Sequence, residues 1–172
     1  KGIRGRLTAN FMIVILISVI VLEVLLIYSV KQNYYSSLKA NLINQAKISA
    51  DMYSKYYSDT SLEDNILYDV DAFWNQSNAE VEIVNREGKI IMDSQGIIPG
   101  PEEPADDIND ALKGKTGGLI GKLNGENVMA IAYPLQSDGQ IVGALRLIAS
   151  TDGIDQDIQN IMRIFIAIGL LV

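Results

Sequence analysis

Residues 80–94 read Glu-Val-Glu-Ile-Val-Asn-Arg-Glu-Gly-Lys-Ile-Ile-Met-Asp-Ser, and within them the apolar spacing changes from the three-and-four of a helix to the two of a strand. Val81 and Ile83 before, and Ile90 and Met92 after, frame Asn85-Arg86-Glu87-Gly88-Lys89, a turn with Gly88 where a positive φ is expected. This is a hairpin. The residues on its N-terminal side keep helical spacing, and those beyond residue 117 alternate. The expected class is therefore α+β, with an antiparallel sheet of about five strands and a long N-terminal helix.

Toward the N-terminus, Ser61 followed by Glu63 and Asp64 reads as an N-cap with acids in the first turn. The helix it opens runs to about residue 76 on Leu62, Ile66, Leu67, Val70, Phe73 and Trp74. Trp74 reads as core packing, with a ligand contact as the alternative. Residues 30–57 hold no Gly or Pro, and Tyr35, Leu38, Leu42, Gln45, Ser49, Met52 and Tyr56 alternate spacings of three and four. A second face carries Ile43, Ala46, Ala50, Tyr53 and Tyr57. Two faces suit a helix that packs on its own domain and on a second copy; a single amphipathic helix lying on a sheet fits the same pattern.

Toward the C-terminus, Gly96, Pro99, Gly100, Pro101 and Pro104 mark residues 95–105 as loop, and a short helix over 106–113 stops at Gly114. Strands are expected at 118–123, 128–135 and 140–149, with Asn124-Gly125 and Ser137-Asp138-Gly139 as turns. Ser150 or Thr151 caps a last helix carrying Ile154, Ile158, Ile161, Phe165 and Ile168.

Residues 11–30 are almost unbroken apolar chain, interrupted by Ser18, Glu23 and Ser29, and match the roughly 20 residues that cross a bilayer. Leu26, Ile27, Tyr28 and Ser29 supply no small-residue cleavage site, which argues for a span over a signal peptide. Lys1, Arg4 and Arg6 place the N-terminus in the cytoplasm. The expected organisation is a cytoplasmic tail (1–10), a first transmembrane helix (11–30), an extracytoplasmic domain (31–160) and the start of a truncated second span (161–172), in a multi-pass protein of the cell membrane.

Between residues 31 and 160, 10 basic residues face 20 acidic ones, a net charge of −10 that argues against nucleic acid as a partner. Cysteine and histidine are both absent, which removes disulfides, thiolate chemistry and Ser-His or Cys-His machinery. No catalytic residues and no cofactor are expected in this segment.

The order of elements resembles the extracytoplasmic PAS-like fold called single Cache or PDC. The match is carried by Val84-Asn85-Arg86-Glu87-Gly88-Lys89-Ile90-Ile91-Met92-Asp93-Ser94, which looks like that family's first hairpin. It is carried equally by Gly143-Ala144-Leu145-Arg146-Leu147-Ile148-Ala149-Ser150 running into Ile154-Asp155-Gln156-Asp157-Ile158, which looks like its final strand and exit helix. Sensor histidine kinases of Gram-positive bacteria, of the PhoR, ResE and WalK kind, share it. The resemblance implies a two-component sensor kinase, a homodimer whose ATP- and Mg-dependent kinase domain and response-regulator contact lie beyond this segment. Chemoreceptors, cyclases and a membrane-anchored interaction or assembly module are the alternatives.

Members of the fold bind small ligands, often carboxylates or amino acids, between the sheet and the loop with its short helix. Arg146, set among apolar strand residues, is the expected fork for a carboxylate, with Tyr133, Trp74 and Asp93 beside it; the plainer role for Arg146 is pairing with Asp93 or another acid. Glu102, Glu103, Asp106, Asp107 and Asp110 are hard oxygen donors suited to a divalent cation, or dipole-compensating charges at a helix start. Glu23 is costly inside a span, and a pair with Arg163 on the second span would fix the relative height of the two helices.

Overall fold

A computed structural model describes residues 3–57, 59–68, 79–96 and 105–171. In chain order these form helix α1 (Ile3–Tyr56), helix α2 (Leu62–Tyr68), strands β1 (Glu80–Asn85) and β2 (Ile90–Asp93), and helix α3 (Asp106–Leu112). Strands β3 (Gly117–Leu123), β4 (Glu126–Ser137) and β5 (Gln140–Ser150) come next, and helix α4 (Asp152–Leu171) is last. The chain divides into two compact units: Leu38–Asp152, and Lys1–Ser37 with Gly153–Val172. Trp74, Glu102 and Glu103 lie outside the described residues, as does the continuation of α2 toward residue 76.

In the unit Leu38–Asp152, one five-stranded sheet has the order β2-β1-β5-β4-β3, with every neighbouring pair antiparallel. The sheet joins the β1–β2 hairpin to the β3–β4–β5 meander through β1 and β5. The β1–β2 turn is locked by Asn85, whose Oδ1 accepts from the backbone N–H of Glu87 at 3.1 Å and of Lys89 at 2.9 Å. The two meander turns place Asn124 at φ 50° with Gly125 at 87°, and Asp138 at φ 50° with Gly139 at 77°. Paired positive φ values are the primed geometry that matches strand twist, and Asn, Asp and Gly reach it at least cost.

Each sheet face has its own cover. Leu145, Leu147, Ile83, Val81, Ile131, Met129 and Leu135 alternate onto one face and are buried. Among the described residues of this unit, only α1 and α2 remain to cover it. Leu62 of α2 does so over Gly143, where an added Cβ would stand 2.7 Å from the Leu62 side chain. The buried residues of α1 are Leu42, Ala46, Ala50 and Tyr53. Spacings of four, four and three keep them on one side of the helix. Gln45, Ser49 and Met52 are half-buried, whereas Ile48 and Tyr56 are exposed, so the buried side takes Leu42 from the first expected face and Ala46, Ala50 and Tyr53 from the second. On the opposite sheet face, Ile108 and Ala111 of α3 pack on Val84, Ala132 and Ala144.

Helix α2 begins as its sequence dictates. The Ser61 hydroxyl accepts from the N–H of Asp64 at 3.2 Å and donates to the Asp64 carboxylate at 2.7 Å. Asn65, buried behind it, donates to the carbonyls of Tyr57 at 2.7 Å and Thr60 at 3.3 Å and accepts from the Thr60 hydroxyl. These bonds hold the α1–α2 corner.

In the other unit, α1 is long and apolar enough to cross a membrane, with a mean hydropathy of 3.0 over its most apolar stretch, and is the one such helix among the described residues. Asp155 of α4 accepts from the Tyr35 hydroxyl at 3.2 Å and lies 3.9 Å from Lys31 Nζ. Glu23 lines an apolar groove with Ile20, Ile27, Met162 and Ile166. Arg163 is exposed, and no ion pair joins it to Glu23 among the described residues. Met162 holds the position on α4 that faces the groove, and one residue further turns Arg163 about 100° away from it. The polar side-chain contacts between α1 and α4 among the described residues of this unit are those of Lys31 and Tyr35 with Asp155.

Burial pushes the Tyr53 phenol above its usual pKa; a hydrogen bond with Asn65 opposes this and the Glu63 carboxylate adds to it. A phenol whose folded value is raised contributes stability that is complete below its unfolded value, about 10, and is lost as pH rises through the folded value. Denaturant unfolding of wild type should therefore weaken above pH 10 more steeply than that of Tyr53→Phe; parallel pH profiles would remove Tyr53 as the cause.

Candidate functional site

Strand register assembles the site from residues far apart in sequence. Asp93 stands opposite Glu82, Glu82 opposite Arg146, Arg146 opposite Ala132, and Ala132 opposite Gly117, one row across all five strands. Residues paired in this way share a face. The row thus brings two acids and a guanidinium together at the β2–β1–β5 end and two of the smallest residues at the β4–β3 end.

Helix α3 descends on the small end. A Cβ added to Gly117 would lie 1.9 Å from the Asp107 carbonyl oxygen, so the helix backbone occupies the space a side chain would need. From there Asp107 reaches Arg146 side-on: Nε donates to Oδ2 at 2.7 Å and a terminal nitrogen donates to Oδ1 at 3.0 Å. The other terminal nitrogen donates to Glu82 at 3.2 Å. The side chains of Arg146, Asp107 and Glu82 are 1%, 0% and 3% exposed, which makes this a buried, charge-assisted triad.

The triad answers where the expected site residues go. Arg146 does point to the α3 side of the sheet, but its fork grips two carboxylates of its own domain. Tyr133 pairs with Leu145 and is on the opposite sheet face, because alternation within each strand leaves the relative register of two strands open by one residue. Asp93 lies in the row beside Glu82; its Oδ1 accepts from the N–H of Gln95 at 2.7 Å, and its Oδ2 is buried with no hydrogen-bond partner among the described residues. The acidic run is split by the helix it starts: Asp107 turns inward to Arg146, while Asp106 and Asp110, one turn apart, are exposed. The structure does not bring those three together as a cation site.

Glu82 and its neighbour Glu80 escape a reading of sequence alone. Alternation with Val81 and Ile83 places them on the polar face of β1, which reads as solvent-facing. Only the packing of β1 beside β5 and under the α3 side of the fold makes that face interior.

No family model matches the chain, and no curated protein matches it. Solved structures do. The sensory domain of the Campylobacter jejuni chemoreceptor Tlp3 (CcmL) aligns over 78% of this chain and 60% of its own, at 17% identity and a TM-score of 0.58. The E. coli DcuS sensor domain aligns over 70% of this chain and 96% of its own, at 13% identity and a TM-score of 0.52. The sensor domain of the V. cholerae histidine kinase DctB aligns over 77% and 58%, at 18% identity and a TM-score of 0.50. This chain thus spans about 60% of the chemoreceptor domain it matches. The long helix and five-stranded antiparallel sheet have the fold of Cache/PDC sensor domains.

Removing one member of a buried ionic triad strands the others. Arg146→Ala should cost about 3–5 kcal/mol in denaturant unfolding, and Gly117→Ala, which forces α3 off the sheet, should destabilise in the same way. Replacing Arg146, Glu82 and Asp107 together by Met, Leu and Leu should recover much of the Arg146→Ala loss; no recovery would show that the triad does not act as a unit.

Proposed function

We propose that this chain is the stimulus-sensing and transmembrane part of a dimeric sensor histidine kinase, with residues 31–160 outside the cell membrane. The observation that carries the reading is the pairing of a Cache/PDC fold with an unbroken helix, α1, that runs from span-length apolar sequence into the domain. A state of the domain delivered along continuous helices needs no new chemistry to cross a membrane.

The exit from the sheet supports the same reading. β5 passes into α4 through the single buried residue Thr151, whose N–H donates to the Asn127 carbonyl at 2.7 Å. The Asn127 side chain donates to Asp152 at 2.7 Å, on the first turn of α4. Both backbone and side chain of one β4 residue therefore hold the chain where β5 ends at Thr151 and Asp152. The α3–Arg146 contact is the element we assign as bistable: a ligand or ion that favours α3 seated or lifted biases β5. The Tlp3 domain has been solved with isoleucine bound, and a small molecule acting on the α3 side of the sheet is the corresponding stimulus here.

A chemoreceptor is the second reading, favoured by the Tlp3 likeness. Labelling membranes that contain the full parent chain with ATP separates the two. A kinase acquires acid-labile, alkali-stable phosphate, whereas a chemoreceptor takes up methyl groups and no phosphate. The dimer is tested with the same membranes, because the segment has no cysteine of its own. Ser49→Cys, on the half-buried seam, should crosslink under oxidant, and Asp51→Cys, exposed about 200° around α1, should not. Asn127→Ala should uncouple output from stimulus while leaving ligand binding intact; loss of binding as well would contradict the joint's role.

A further inference from the structure

We propose that the apolar groove between α1 and α4 seats α1 of a second copy of this chain, with the Glu23 carboxyl groups of the two copies hydrogen-bonded to one another. The inference rests on the reading of residues 11–30 as a membrane span of a dimeric receptor. The groove holds about 600 Å³ and is walled by Leu16, Ile20 and Val24 of α1, with Glu23 beside them, and by Met162 and Ile166 of α4. Leu16, Ile20 and Val24 are exposed, and their spacing of four makes them one ridge of the helix. A ridge of this kind packs into the groove of a neighbouring helix.

Glu23 calls for an occupant other than lipid. An acid inside a span is costly, and such residues face a bundle interior or pair with one another. Among the described residues Glu23 takes part in no hydrogen bond and no ion pair. Its own chain offers no free donor beside it: the Ser18 hydroxyl donates to the Val14 carbonyl at 2.8 Å, and Arg163 is turned away from the groove. An acyl chain fills the apolar part of the groove as well as a helix does, yet it brings no hydrogen-bonding group to the carboxyl.

A second copy does bring one, at the right height. Two copies inserted in the same direction and related by a two-fold axis along the membrane normal hold every residue at the depth of its counterpart. With α1 of the second copy in the groove, Ile20 stands against Ile20. Glu23, three residues on, is about 60° around the helix from Ile20 and on its α4 side, where it borders the grooves on both sides of the α1–α4 contact. Each carboxyl therefore reaches into the groove from its own helix, and an O–H of one donates to an oxygen of the other. The contact is isologous, so ridge and groove meet twice.

The test uses the full parent chain reconstituted in lipid vesicles at falling protein-to-lipid ratio, with disulfide crosslinking under oxidant as the readout. Ile20→Cys should crosslink to a dimer, and Leu22→Cys, about 200° around α1, should not. In the Ile20→Cys background, Glu23→Leu should move the half-dimer point to a protein-to-lipid ratio about 5- to 30-fold higher, the effect of losing an interhelical hydrogen bond. Glu23→Gln keeps a donor and an acceptor and should stay close to the parent. Ser49→Cys reports the dimer outside the membrane independently. Crosslinking at Ser49 without crosslinking at Ile20 would leave the dimer standing and give the groove to lipid; crosslinking at neither would overturn the dimer as well. Equal crosslinking at Ile20 and Leu22, or an unmoved half-dimer point in Glu23→Leu, would overturn the Glu23 contact.

Discussion

A guanidinium taken out of water between two carboxylates is stable only while each charge keeps its partner, and the buried Arg146 imposes that condition on three elements at once. Glu82 ties it to β1, its own strand is β5, and Asp107 ties it to α3. Sheet order reflects the same bond: β1 and β5 join the hairpin to the meander, and the triad sits across that seam. Helix α3 is seven residues long and would not persist alone. Its place is set by Asp107 on the polar side, by Ile108 and Ala111 on Val84, Ala132 and Ala144, and by the space Gly117 leaves empty.

The two sheet faces do different work. One buries Val81, Ile83, Met129, Ile131, Leu135, Leu145 and Leu147 by side-chain packing, a contact tolerant of hydrophobic exchange. The other mixes a small apolar cluster under α3 with a charged row and a polar cleft. Ionic contacts are directional and fail when one member moves, so the α3 face is the one suited to hold two arrangements, while the helix-covered face stays constant. That division gives the proposed sensor a physical basis: a rigid layer in which the signal-carrying strand is anchored, and a switchable layer above it.

Sequence likeness to the Tlp3, DcuS and DctB domains is low, at 13–18% identity, yet the fold is held in common. The chemistry of this chain's buried charges is concentrated in Arg146, Asp107 and Glu82, and the fold likeness says nothing about it.

Local physics was legible in the residues themselves. The shift of period at Glu80, the Asn85 turn, the Asn124-Gly125 and Asp138-Gly139 hairpins, the Ser61 cap and the apolar run of residues 11–30 depend only on neighbours a few positions away. Alternation also placed Arg146 on its side of β5. It did not decide what Arg146 meets, because Asp107 is 39 residues distant and Glu82 is 64. Nor did it decide that Tyr133 turns away, because a one-residue change of register between β4 and β5 reverses the face and leaves each strand's own pattern untouched. Short-range sterics and hydrophobic period were enough to specify the elements and their order. Which charges are buried together was settled only by the folded packing, since pairing across strands is a property of register and of the helix laid over it.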